Sequence, residues 1–311
     1  MKIGIGIGEI GGRAATLDDL IAQAQRAEGD GFASGWLANI FGIDALTALA
    51  LIGRATSRLA LGTAVVPTFS RHPVAMAQQA LTVQAATGGR FSLGIGLSHQ
   101  IVIESMFGLS FAKPYTHMKE YLAALAPLIR GGKVSVAGSQ VSVNASVEVP
   151  GSTPCPILLA ALAPKMLALA GNEAEGTITW MTGPKTLREY TIPRIGEAAA
   201  AAGRPAPRIV VGLPIAVTSD VTAARERARH IFRMYGMMPS YRAMLDREGV
   251  EGPGDVAIVG DEDSVAEQVQ HLAAIGATEL IAVPFPAPPE PDSVARTRAL
   301  LITLARGVRA H

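Results

Sequence analysis

Ser98, His99 and Gln100 arrive together at the end of an apolar run, Phe91–Ser92–Leu93–Gly94–Ile95–Gly96–Leu97. Alternating apolar residues suit a strand interior, and Gly94 and Gly96 remove side chains where another group needs close approach to the backbone. Histidine is the side chain whose ordinary pKa lets it give or take a proton near neutral pH. In parallel α/β architectures ligands bind at the carboxyl ends of strands, so a histidine at such a tip points to a site, whereas the bland reading is a histidine on a solvated loop. Two further tips bear on the choice. Glu9 is a lone carboxylate after the first apolar run, suited to act as acid, base or partner for an arginine, and Asn39 holds the equivalent place after the second. In a closed barrel all three would converge on one mouth.

Two junctions carry a different chemistry. Ala160–Ala161–Leu162–Ala163–Pro164–Lys165 joins a strand to a helix through small residues, with a lysine close by. Unpaired amides at a helix start and the helix dipole both favour an anion such as phosphate. Pro164 has no amide, so Leu162, Ala163 and Lys165 are the candidates. Trp180–Met181–Thr182–Gly183–Pro184–Lys185 repeats the pattern, with Trp180, Thr182 and Gly183 as candidates. Each junction alone is also ordinary barrel architecture. Gly6–Ile7–Gly8–Glu9–Ile10–Gly11 has the spacing of a dinucleotide-binding fingerprint, but residues 12–15 intervene before the helix and the second strand ends without an acidic residue. Both departures argue against a nicotinamide site.

The elements that must position these residues repeat in a fixed order. Strands are expected near 3–8, 32–37, 59–66, 91–97, 157–162, 176–181, 209–217 and 279–283, each followed by a helical pattern. Thr16 with Asp19 forms a capping box for the first helix, and Pro73 opens the third at a favoured position. The helix over 187–202 is expected to be interrupted at Pro193. A long connection follows His99, a hairpin is expected near 133–143, and a polar, glycine-rich insertion follows a helix over 223–235. Eight strand–helix rounds with buried strands predict a parallel (β/α)8 barrel with insertions after strands 4 and 7, in one domain over residues 1–311.

Composition narrows the function. The chain has 311 residues, 49% of them hydrophobic, with a formal net charge of +1. No basic run tracks a phosphate backbone, so nucleic acid is not expected as a partner and a small molecule is. No apolar run is long enough to span a membrane and the first residues lack a secretion signal. Cys155 is the single cysteine and reads as a small buried hydrophobe. Together these features imply a cytoplasmic protein.

With those residues in view, the chain resembles the luciferase-like monooxygenase superfamily, within it the branch that uses the deazaflavin coenzyme F420. The stretches carrying the resemblance are Leu61–Gly62–Thr63–Ala64–Val65–Val66–Pro67, Arg71–His72–Pro73–Val74–Ala75–Met76–Ala77–Gln78–Gln79 and Gly88–Gly89–Arg90–Phe91–Ser92–Leu93–Gly94–Ile95–Gly96. The resemblance implies a TIM barrel, a homodimer, and a bulge at Thr63–Ala64–Val65, often carrying a non-prolyl cis peptide, that props the coenzyme ring. It also implies that Ser98 and His99 line the ring pocket and that the two junctions hold phosphate. Many relatives carry an acidic residue and a histidine after strand two, where this chain has Ala38–Asn39. Asn39 can hydrogen-bond a ring or substrate but is no ordinary acid, which leaves His99 and Glu9 as the proton-transfer candidates. The expected activity is hydride transfer between the deazaflavin C5 and a small organic substrate. The alternatives are an FMN-dependent monooxygenase of the same superfamily and a catalytically silent cofactor-binding protein. Phe107, Tyr115, Met237, Met238 and Tyr241 are candidates to line an apolar chamber, or to pack beneath mobile loops; the sequence does not name the substrate.

Overall fold

The computed structural model describes residues 1–8 and 14–307. Eight parallel strands close into a barrel: β1 (Lys2–Ile7), β2 (Ser34–Leu37), β3 (Ala60–Thr63), β4 (Phe91–Gly96), β5 (Ile157–Leu159), β6 (Gly176–Trp180), β7 (Arg208–Val217) and β8 (Glu279–Pro284). Closure is made by β8 against β1, where Lys2 lies beside Glu279 and Ile5 beside Ala282. The helices that cover the barrel are α1 (Leu17–Asp30), α2 (Ala45–Ala55), α3 (Pro73–Ala86), α4 (Pro114–Ile129), α5 (Pro164–Glu173), α6 (Ile192–Ala201), α7 (Val221–Ile231), α8 (Pro239–Glu248), α9 (Glu262–Ala274) and α10 (Ser293–Gly307). This is the (β/α)8 TIM barrel that the strand count predicts.

Period-two alternation explains how the barrel fills. Ile3, Ile5 and Ile7 of β1 join the core beneath the helices, as do Leu93 and Ile95 of β4. Trp36, Leu158, Ile178, Val210 and Ile281 form a separate buried cluster, with Ala64, Val65, Ala160 and Val283 packed on it. The bulk of Trp36 requires glycine beside it: a Cβ on Gly62 would stand 2.3 Å from the indole ring. A polar layer completes the filling. The Trp36 indole N–H donates to Glu279 Oε1 at 2.9 Å, Arg208 pairs with Glu279 Oε2 at 3.1 Å, and Arg208 donates to Ser92 Oγ at 3.0 Å. Glu279 is 2% exposed, so removing Arg208 would strand a buried charge, at a cost of roughly 3–5 kcal/mol.

Several elements differ from the sequence pattern. The third strand leaves regular pairing after Thr63, and Val66–Pro67 resumes beside β4, with Val66 opposite Ile95. The sixth helical region begins at Pro184 and widens to a π-helical turn over Leu187–Thr191. Pro193, which has no amide to donate, follows directly, so the regular α-helical pattern is broken beside it, as the sequence predicts, while the helix itself continues into α6. The insertion after α7 is no open loop. It contains α8, closed by Gly249 in the left-handed conformation, and a strand, Ile258–Gly260, that pairs with β7. The expected hairpin forms over Lys133–Ala137 and Ser142–Ser146.

Candidate active site at the barrel mouth

The carboxyl ends of the strands carry most of the residues singled out by the sequence. Glu9 lies outside the described residues. Ser98 lies two residues past β4 with φ of 62°, and Met181 follows β6 with φ of 55°. Side-chain-bearing residues rarely adopt that left-handed conformation, and where they do the surrounding structure must hold it. His99 follows Ser98, half-buried, and its carbonyl accepts the amides of Val102 and Ile103, so the next turn fixes its backbone. Burial lowers its pKa below the ordinary histidine value, which keeps the ring neutral at pH 7.

The Ala64–Val65 peptide is cis, at the place the family resemblance implies. Around it, polar groups are already engaged. Thr63 is fully buried, and its hydroxyl donates to the Gly94 carbonyl and accepts the Gly94 amide, both at 2.8 Å. Its side chain therefore knits β3 to β4. Asn39 receives the Ala45 amide on Oδ1 at 3.0 Å, which anchors the start of α2, while its own amide reaches the Val65 carbonyl at 3.4 Å. Ala64 and Val65 remain half-buried at the mouth.

The two junctions diverge. At the start of α5, Ala163 occupies the cap position with no side-chain cap, Ala163 and Lys165 are exposed, and Leu162 is half-buried. Lys165 Nζ lies 6.0 Å from the centre of the Tyr115 ring. These groups suit an anion. After β6, Thr182 and Gly183 are buried, and Glu248 at the end of α8 accepts the amides of Lys185 at 3.0 Å and Thr186 at 2.7 Å. A carboxylate of the chain itself thus takes the Lys185 and Thr186 amides, and not those of the candidates Thr182 and Gly183.

Above His99 an aromatic series crosses the mouth, and Tyr235 and Phe232 in it were not among the sequence candidates. The His99 ring lies 5.7 Å from Tyr241, Tyr241 lies 5.1 Å from Tyr235, and Tyr235 lies 5.8 Å from Trp180, which also meets Phe232 edge-on at 5.8 Å. The spacing of Phe232, Tyr235 and Tyr241 is the available signal, obscured because the α8 stretch has the composition of a polar, glycine-rich insertion. Burial raises the pKa of both phenols, so both stay protonated; for Tyr235 the nearby Trp180 indole offsets part of the rise. The Tyr235 hydroxyl is the polar group that indole nitrogen faces, outside regular hydrogen-bond geometry. Met237, by contrast, is 73% exposed and Phe107 45%, so these candidates lie on the rim.

Two neighbouring histidines have structural roles. His72 caps α3 by accepting the Val74 amide on Nδ1. His117 stacks on Phe69 at 3.9 Å and meets Thr68 Oγ1 through Nε2 at 3.0 Å, fixing the loop after the bulge; burial lowers its pKa to about 4. A cavity of about 360 Å³ lies between β7, α9 and the turn after β6. Of its charged lining residues, Arg225, Asp255 and Glu248 have protein partners, and Glu267 lines it as well.

A barrel whose strand tips carry this arrangement defines a class. The luciferase-like monooxygenase family model matches residues 2–279, and the chain belongs to that family and is an oxidoreductase. Among its relatives, a 5,10-methylenetetrahydromethanopterin reductase of Methanolobus tindarius is 26% identical over 83% of this chain and 88% of its own length. A Mycobacterium tuberculosis protein named by inference as a coenzyme F420-dependent oxidoreductase is 28% identical over 90% of this chain and 94% of its own. The solved coenzyme F420-dependent tetrahydromethanopterin reductase of Methanopyrus kandleri shares the fold, with a TM-score of 0.78, 22% identity and coverage of 100% and 99% of the two chains. Among the described residues no helix is long and apolar enough to cross a membrane, and no cluster of side chains is suited to hold a metal.

Proposed function

We propose that the protein is a coenzyme F420-dependent oxidoreductase acting on a small organic substrate by hydride transfer. The observation that carries this reading is similarity along nearly the whole chain to relatives named for that coenzyme or for methylenetetrahydromethanopterin reduction. The donor set supports it: the α5 start offers uncapped amides and Lys165 for a phosphate, and the mouth offers Ala64, Val65, Ser98 and a neutral His99 for a ring.

Bound deazaflavin supplies a two-electron hydride donor or acceptor at C5; the protein positions the reacting faces and manages protons. A neutral imidazole suits the oxidative direction. His99 takes the hydroxyl proton of an alcohol as the carbon loses hydride and the oxygen pair forms the carbonyl bond; in reduction the imidazolium returns that proton to the oxygen. Leu162, Ala163 and Lys165 would hold the phosphate.

Turnover without oxygen tests the proposal. Reduced deazaflavin should be reoxidised by an organic acceptor in the strict absence of oxygen, one coenzyme per substrate. A requirement for oxygen and reduced FMN would instead make the protein a monooxygenase.

A further inference from the structure

We propose that the cavity between β7, α9 and the turn after β6 is a second ligand site, separate from the coenzyme mouth, that takes a small organic ammonium ion with an apolar body. The inference goes beyond the deazaflavin reading and stands whether or not that coenzyme binds.

The cavity has the size and the two-sided character of a ligand pocket. Its volume, about 360 Å³, falls within the range of about 300–1,000 Å³ found for small-molecule sites. Leu213, Val256, Ile258 and Leu272, all buried, give it an apolar floor. Leu213 belongs to the core beneath the helices and not to the cluster inside the barrel, so the cavity lies on the outer side of β7. None of Ala64, Val65, Ser98 and His99 lines it.

Its free polar groups are acceptors. Three carboxylates, Glu248, Asp255 and Glu267, line it against one guanidinium, Arg225. Arg225 Nη1 donates to the Gly254 and Asp255 carbonyls at 3.1 and 2.8 Å, which leaves that nitrogen no hydrogen for an incoming anion. Glu248 accepts one amide on each oxygen, and Asp255 accepts Arg229 and the Gly252 amide, so both keep lone pairs to spare. Among the described residues the Glu267 side chain has no hydrogen bond or ion pair. Gln268 donates through Nε2 to the Val259 and Ser264 carbonyls at 3.0 and 3.2 Å, which leaves Oε1 as its accepting end. His271 stands one turn beyond Glu267 on α9 and adds a ring nitrogen on the same face. An ammonium ion brings three donors to this lining and offsets its negative charge, whereas a carboxylate or phosphate would meet three carboxylates. The lining comes from the barrel strand β7, the insertion that holds α8, and α9, so a ligand bound there bridges the insertion to the barrel.

Calorimetry and limited proteolysis on the intact protein test the site, with phenethylammonium as the probe. It should bind saturably with a Kd of about 1 mM or tighter, and 3-phenylpropionate, which reverses the charge on a similar body, should bind about tenfold more weakly or not at all. Glu267→Gln, an exposed change that keeps the shape of the side chain, should weaken the ammonium about tenfold. Val250→Phe, which narrows the cavity at its half-buried edge, should abolish binding. Because the ligand bridges the insertion, tryptic cleavage after Arg247 should slow about tenfold at a probe concentration of about ten times Kd. Absence of saturable binding, equal binding of the two probes, parental affinity in either variant, or cleavage unchanged by the probe would overturn the inference. No arm of the test uses the coenzyme, so a protein that binds phenethylammonium but not coenzyme F420 would lose the deazaflavin reading and keep this site.

Discussion

Glu248 caps the turn that follows β6: its carboxylate accepts the Lys185 and Thr186 amides, and a Cβ on Gly183 would collide with it at 2.3 Å. The contact fastens the insertion that carries Tyr235 and Tyr241 to the tip of a barrel strand. Glu248→Ala should therefore lower stability by about 1–2 kcal/mol, the ordinary value of a helix cap. Urea denaturation measures it, and Glu248→Gln should recover part of the loss because its side-chain oxygen still accepts. An Ala variant as stable as the parent would show that the cap holds nothing in place.

Coenzyme phosphate is expected at the start of α5. Lys165→Ala should weaken coenzyme binding roughly tenfold or more if the ammonium reaches the anion, while Lys185→Ala should leave it unchanged because Glu248 already engages that turn. Calorimetry on both variants reads the contrast. Equal losses would place the second junction in the phosphate site as well.

His99 is expected to act on protons. His99→Ala should reduce turnover by a factor of about 10²–10⁴ with coenzyme affinity nearly unchanged. Because burial lowers its pKa, alcohol oxidation should be level near pH 7 and fall only as the pH drops below the ordinary histidine range. A variant within threefold of the parent would leave His99 a mere contact of the coenzyme.

His117 makes the fold sensitive to acid. Its folded-state pKa of about 4 lies below the ordinary 6.5, so the unfolded chain binds the proton first and stability falls as pH is lowered from about 6.5 toward 4. The loss from this group is on the order of 3 kcal/mol. His99 is lowered too and acts in the same direction, whereas Glu28 and Glu290, each at about 2, matter only below the ordinary carboxylate pKa. His117→Gln should flatten most of the slope between pH 6.5 and 4.5 in urea midpoints; an unchanged slope would assign it to other groups.

The barrel was legible because its signals are local. Alternating isoleucines and glycines in β1, the Thr16–Asp19 capping box and Pro73 each declare their element within a few residues, and the capping box and the proline start are observed as read. Ser98 and His99 were legible at the tip of a strand, whereas Ala64 and Val65, inside the expected third strand, came only from the family resemblance. What the sequence hid depends on distant partners. Thr63 and Asn39 are polar residues at the mouth, but Gly94 and Ala45 engage them, which no spacing announces. Glu248 reaches across more than sixty positions to Thr186. Tyr241 meets His99 only because α8 folds back over β4, and α8 begins at a proline in a polar, glycine-bearing stretch whose helical face is weak.

Competitive titration with oxidised coenzyme F420 and FMN, followed by deazaflavin and flavin fluorescence, tests the central claim most directly. Micromolar or tighter deazaflavin binding, with FMN bound more weakly, is the predicted result. Micromolar FMN binding with no detectable deazaflavin binding would contradict it.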